Sequence, residues 1–180
     1  MQTITNIDFT ILDFIHKHLS CPFLNFIMPK ISLLGNSGAI WILAAVIMVF
    51  FKKYRKTGIT VAAGLCTGVI IGNLLLKNLI ARSRPCWINN TINMLIAVPQ
   101  DYSFPSGHTL SSFIAATIIM YSDKRLGTAA YILAAMIAFS RLYLYVHFPT
   151  DILGGVLIGI VIGIIMCKVS DKLYNKQECE

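Results

Sequence analysis

The stretch Ser140 to Asp151, SRLYLYVHFPTD, sets an arginine, a histidine and an aspartate at the mouth of an apolar run. A charge at mid-bilayer costs about 2.5–3.5 kcal/mol on insertion scales, so an apolar chain that keeps such groups needs a reason for them. Pro149 suits the first turn of a helix, where its missing N–H would go unbonded anyway. With a helix starting there, His147 stands just ahead of it and Asp151 falls in its first turn. The aspartate can then accept the Nδ1 proton of His147 and leave Nε2 lone-paired, the state of a nucleophile or base.

Two further stretches carry chemistry of a matching kind. Lys77 and Arg84 are seven residues apart, about two helical turns, and share a face if the helix persists nearly to Pro85. Pro105 suits the first turn of another helix, which would leave the N–H groups of Ser106 and Gly107 free for an anion, with His108 just behind. Each piece alone has a plainer reading: snorkelling cations, a helix start, or an Arg141 paired with a carboxylate such as Asp101. Together they amount to three cations, a helix N-terminus and two histidines. Phosphoryl transfer asks for cations and N–H donors on the equatorial oxygens, with a nucleophile and an acid in line. Nothing in the sequence has the spacing of a metal cage, so the expectation is no metal and no cofactor, with the cations doing a metal's work.

The elements that must position these groups are apolar helices. Of 180 residues, 56% are hydrophobic and 13% charged, and the mean hydropathy is +0.71. The composition predicts an all-α, polytopic membrane bundle forming a single domain over 1–180. Spans are expected at 31–51, 57–80, 104–121, 126–146 and 150–169, about five in all. Residues 4–19, with Ile4, Ile7, Ile11 and Ile15 at helical spacing, predict an amphipathic helix lying in the interface. Gly155, Gly159 and Gly163 make successive GxxxG steps in the last span and predict close helix packing. The five cysteines lack metal-like spacing; Cys66 and Cys167, inside apolar runs, read as small buried hydrophobes. The N-terminus shows no basic leader of the kind that precedes a cleaved signal.

The net charge of +7 does not point to nucleic acid, because the basic residues fall between apolar runs rather than along one stripe. It points to topology. KKYRK (52–56), DKR (123–125) and the C-terminal tail carry nine cations, against six on the other side: Lys17, Lys30, Lys77, Arg82, Arg84 and Arg141. The positive-inside rule makes the first side cytoplasmic and turns every candidate site residue outward. The expected localisation is therefore a multi-pass protein of the cell membrane with an extracytoplasmic site and a cytoplasmic C-terminus.

The patterns K-x6-RP (Lys77, Arg84, Pro85), PSGH (Pro105 to His108) and SR-x5-H-x3-D (Ser140, Arg141, His147, Asp151), in this order over residues 77–151, closely resemble the type 2 phosphatidic acid phosphatase family, which shares its site with the vanadium haloperoxidases. The resemblance implies that His147 is the nucleophile and forms a phosphohistidine, that Asp151 orients it, and that His108 protonates the leaving oxygen. It implies that Lys77, Arg84, Ser106, Gly107 and Arg141 hold the phosphate. The implied partners are membrane lipids and a lipid phosphate or diphosphate substrate. Small bacterial members with an external site suggest undecaprenyl diphosphate, with phosphatidylglycerophosphate or phosphatidate as the alternative. Many members have six spans; this chain shows five and an interfacial helix. The intact His147, Asp151 and His108 set argues against a catalytically idle lipid transporter. A soluble vanadate-dependent oxidant does not fit a chain that is nearly all span.

Overall fold

Glycine decides how closely the helices approach one another. In the computed structural model, which describes residues 2–177 of the chain and the side chains of 5–174, helix α7 (Gly107–Ser122) lies at the centre. It is flanked by α4 (Arg55–Gly68), α8 (Lys124–Tyr143) and α9 (Pro149–Gln177). A Cβ on Gly159 of α9 would sit 2.9 Å from the Leu110 carbonyl oxygen, and one on Gly68 would sit 2.6 Å from Ile114 Cδ1. The GxxxG steps of α9 thus grip α7 from one side, as expected, and a second glycine stripe on α4 grips it from another. Leu110, Ile114, Ala115, Ala116, Ile118 and Ile119 fill the core between them.

The remaining elements come before and beside this centre. They are α1 (Gln2–Leu19), α2 (Pro22–Leu34), α3 (Ala39–Phe50), α5 (Lys77–Ile80) and α6 (Pro85–Ile88). Pro22 and Pro85 each open a helix, where proline fits best. Asp123 caps α8 by accepting from the N–H groups of Arg125 (3.0 Å) and Leu126 (3.2 Å). No strand occurs among the described residues.

Among the described residues, three helical stretches are long and apolar enough to cross a membrane: Lys52–Ile88, Lys124–Tyr143 and Pro149–Tyr174. A fourth is formed if the bent pair Pro22–Leu34 and Asn36–Phe50 counts as one span. Helix α7, at 16 residues, is about 24 Å long and falls short of the usual length. The expected span at 31–51 is in fact this bent pair, beginning at Pro22 and turning by 47°. The bend sits at Gly35–Gly38, where Ser37 (φ 52°) and Gly38 (φ 68°) take left-handed backbone conformations. The helix of the last span continues to Gln177, into what reads as a polar tail.

Two expectations for single residues need correction. Along α1 the buried face is Asp8, Leu12 and Ile15, whereas Ile7 and Ile11 are exposed. This face docks through the Asp8–Arg82 ion pair together with Leu12 and Ile15, which pack against Tyr145, Phe148 and Tyr143. Cys66 is exposed while Cys167 is buried, so only one of the two behaves as core. The side chain of Ile4 and all of Cys179 lie outside the described residues.

Candidate active site

Lys77, Arg84, His108, Arg141 and His147 converge on one cavity at the end of the bundle opposite KKYRK and DKR, with Gly107 in its wall. The route by which Lys77 and Arg84 meet differs from the one the spacing predicts. The helix does not run on to Pro85. Residues 69–76 are π-helical, α5 ends at Ile80, and Ala81 reverses the chain at φ 46° before Pro85 starts α6. A break, not two continuous turns, folds Arg84 back over Lys77.

Arg84 is 2% exposed and uses its whole fork. Nε donates to the Asp101 carbonyl (2.6 Å), Nη2 to the Asp101 carboxylate (2.8 Å) and the Tyr102 carbonyl (3.3 Å), and Nη1 to the Val146 carbonyl (2.8 Å). Nη1 also lies 3.1 Å from His147 Nε2. A guanidinium has only donors, so Nε2 must be the lone-pair nitrogen and Nδ1 must carry the proton. Sequence reasoning expected this tautomer, but the partner of Nδ1 is different. Asp151 Oδ2 stands 3.6 Å away, beyond a hydrogen bond, whereas Ser103 Oγ is 3.4 Å from Nδ1 and itself donates to Asp151 Oδ2. Nδ1–H can therefore be relayed through a buried serine hydroxyl to the aspartate. Tyr145 takes a left-handed conformation (φ 58°) in the turn between α8 and α9, and His147, two residues on, lines the cavity. Burial, then the charges of Arg84 and Arg141, hold the His147 pKa well below its ordinary 6.5 and keep it neutral.

Asp151 is fully buried and multiply bonded. It accepts from Phe148 N (2.8 Å) and from Arg82 Nη1 (2.5 Å). Arg82 also binds Asp8 (2.6 Å), and Asp8 accepts from both the N–H (3.1 Å) and the hydroxyl (2.5 Å) of Thr150. This clasp ties α1 to the start of α9. Its charges are two carboxylates and one guanidinium, so one net negative charge sits behind the imidazole. Arg82 counted on sequence only as a topological cation; no spacing rule links it to residues 8 and 151.

The α7 N-terminus is arranged differently from its sequence reading. Pro105 precedes the helix rather than opening it. The N–H of Ser106 is bonded to the Asp151 carbonyl (3.2 Å), and its buried hydroxyl accepts from Thr109 (3.0 Å). Among the described residues, the cavity wall includes Gly107 and His108 but not Ser106. Gly107 lies close to its neighbours, since a Cβ there would lie 3.2 Å from Asn73 Oδ1 and 3.9 Å from Lys77 Nζ. His108 is held by the bend at Gly35–Gly38 that interrupts the expected 31–51 span. Its Nε2 pairs with Asn36 Oδ1 at 2.8 Å, and a Cβ on Gly35 would lie 2.8 Å from its ring.

Arg141 is buried, pairs with Ser32 rather than Asp101, and has a buried Nε with no partner among the described residues. A buried guanidinium donor left open is costly unless an acceptor arrives. Asp101 instead bridges Lys77 and Arg84. Among the described residues, no group of three or more His, Cys, Asp or Glu side chains could hold a metal ion. What the site can do chemically is bind a multiply charged anion against three buried cations, with a lone-paired imidazole in the same wall.

Residues 57–174 match the PAP2 superfamily, and the chain belongs to that family. It is 34% identical over 137 residues to an undecaprenyl-diphosphatase of Sulfolobus acidocaldarius, covering 76% of this chain and 66% of the relative. It is 31% identical over 122 residues to the undecaprenyl-diphosphatase BcrC of Bacillus subtilis, covering 68% and 60%. The chain thus spans somewhat less than two thirds of the length of these two relatives. Its fold matches the crystal structure of a PAP2-type phosphatidylglycerolphosphate phosphatase from Bacillus subtilis with a TM-score of 0.78 at 26% identity, over 96% of this chain and 88% of that one.

Proposed function

We propose that this protein hydrolyses a lipid diphosphate or phosphate in the membrane, with undecaprenyl diphosphate as the favoured substrate. His147 Nε2 attacks the terminal phosphorus, the bond from phosphorus to the leaving oxygen breaks, and His108 gives that oxygen its proton. Water, giving a proton to the now deprotonated His108, then attacks the phosphohistidine; the bond from phosphorus to Nε2 breaks, orthophosphate leaves and both imidazoles return to their starting states. Arg84, Arg141 and Lys77 hold the phosphoryl oxygens, helped by the α7 N-terminus at Gly107, and Arg141 Nε finds there the acceptor it lacks. Asp151, through Ser103, keeps the Nδ1 proton in place while positive charge develops on the ring. Ser106 supports the site from behind, through its bond to Asp151.

The observation that carries this reading is where the cation cluster sits. It heads an open cavity of about 980 Å³ that continues as an apolar furrow between α3 and α4. Ile42, Val46 and Val49 line one wall; Val69, Cys66 and Ala62 line the other. At the far end the helices touch, with a Cβ on Gly58 placed 2.6 Å from the Ala45 carbonyl oxygen. A furrow between two adjacent helices suits one long chain better than two, which favours a polyprenyl lipid over phosphatidylglycerophosphate.

Measuring phosphate release from a panel of the two lipid classes and a short-chain prenyl diphosphate tests both parts. Ala62 lies about 22 Å from Lys77 along the helix. Ala62→Trp is expected to lower kcat/KM for the long-chain diphosphate on the order of tenfold, as forced overpacking costs about 1–3 kcal/mol. A prenyl chain too short to reach Ala62 is expected to be spared. Equal losses for both chain lengths would remove the furrow as the tail site, and release from neither lipid class would remove the activity.

We further propose that the site faces outward. Of the six cations on the site side, Lys77, Arg84 and Arg141 serve the phosphate, which leaves Lys17, Lys30 and Arg82. Three remain against nine, a clear bias under the positive-inside rule. A cysteine placed in the 89–100 loop of a cysteine-free protein is expected to react with an impermeant reagent on intact cells, and a tag at the C-terminus to resist external protease. The opposite pattern would put the site at the cytoplasmic leaflet.

A further inference from the structure

Asp101 is the one part of the anion-binding cluster that the reaction above does not use. Its carboxylate accepts from Lys77 Nζ through one oxygen and from Arg84 Nη2 (2.8 Å) through the other, so it covers two of the three cations meant for phosphate. Its side chain is nevertheless 56% exposed. The backbone is anchored separately, by Arg84 Nε on the Asp101 carbonyl (2.6 Å) and by the N–H of Ser103 on the Arg82 carbonyl (2.8 Å). The carboxylate can therefore leave the cations by side-chain rotation alone. Burial would raise its pKa, but the Lys77 hydrogen bond and the Arg84 charge outweigh that and hold it at about 2, so it is an anion throughout the working range.

We propose that Asp101 is a displaceable internal anion that drives orthophosphate out after each turnover, yielding Lys77 and Arg84 to the entering lipid phosphate and reclaiming them as the free phosphate leaves. The inference rests on the phosphatase reading of the site. Three buried cations without a counter-charge would retain their product, and product release commonly limits such enzymes. A tethered carboxylate competes at a high effective concentration. It loses to a substrate held by both its headgroup and its tail, and wins against orthophosphate, which has lost the tail. Arg141, which Asp101 does not cover, remains open to receive the next phosphate first.

The test uses inorganic phosphate and the full-length purified protein. Asp101→Asn removes the charge and keeps the shape. Its Kd for phosphate is expected to fall about tenfold, the strength of one charge-assisted contact, and the constant for product inhibition of lipid hydrolysis is expected to fall with it. Phosphate affinity equal to or weaker than that of the unaltered protein would overturn the proposal. So would a change confined to the KM of the lipid, which would place Asp101 at headgroup entry instead. If Asp101→Asn folds poorly, Asp101→Ser and the melting temperature of either variant in rising phosphate carry the same test. The variant's melting temperature should climb more steeply than that of the unaltered protein, and an equal or shallower climb counts against the idea. Phosphate binding by neither protein would remove the phosphate site itself; binding by both with equal strength removes only the role of Asp101.

Discussion

His147→Ala is expected to abolish phosphate release. No other imidazole in the cavity wall lies against the cations with its lone pair defined by a guanidinium, and without it the covalent route has no acceptor for the phosphoryl group. Asp151→Asn should retain part of the activity, because Ser103 still touches Nδ1 and His147 remains in place. The pH profile adds an independent check. The imidazole must be neutral to attack, and burial with Arg84 and Arg141 lowers its pKa, so the neutral form persists as pH falls through 6.5. The acid limb of kcat/KM, which reports the free enzyme, should then lie below pH 6.5. Turnover by His147→Ala at the rate of the unaltered protein would end the phosphohistidine mechanism, and an acid limb above pH 6.5 would reassign the limb to another group.

The second large effect belongs to His108. Removing a general acid costs about 10²–10⁴-fold, and the cost depends on how much the leaving oxygen needs the proton. A lipid monophosphate leaving from a diphosphate is already a stabilised anion; an alcohol leaving from a phosphate monoester is not. His108→Ala is therefore expected to lose about 10²-fold on an undecaprenyl diphosphate and about 10⁴-fold on an alkyl monophosphate, both within that range. Measuring both substrates with the same variant decides the role. Equal losses would show that His108 binds phosphate or supports Asn36 without delivering a proton.

Much of this protein could be read from its residues in order. Long apolar runs point to helices, since in a bilayer only a helix satisfies the backbone's polar groups within a single segment. The alternation of spans brings residues 77–84, 105–108 and 140–151 to one end, and the site assembles there. The α9 glycines do what their four-residue spacing implies, because small-residue stripes are a local property of one helix. Pro149 opens α9 for a similarly local reason.

What the sequence alone could not decide is how distant segments complete the site. Ser103 stands between His147 and Asp151, Arg82 joins Asp151 to Asp8, and Asn36 holds His108. Each partnership crosses tens of residues, and two of them lie at backbone irregularities: Arg82 follows the left-handed turn at Ala81, and Asn36 sits in the bend at Gly35–Gly38. Periodicity describes regular helices, so it carried Lys77 and Arg84 onto one face through two turns that the chain does not make. The N-terminal helix shows the same limit. Its isoleucine stripe is a one-dimensional pattern, but the inward face carries a buried aspartate beside Leu12 and Ile15, because an ion pair removed from water must find its partners, here Arg82 and Thr150, wherever they lie in space.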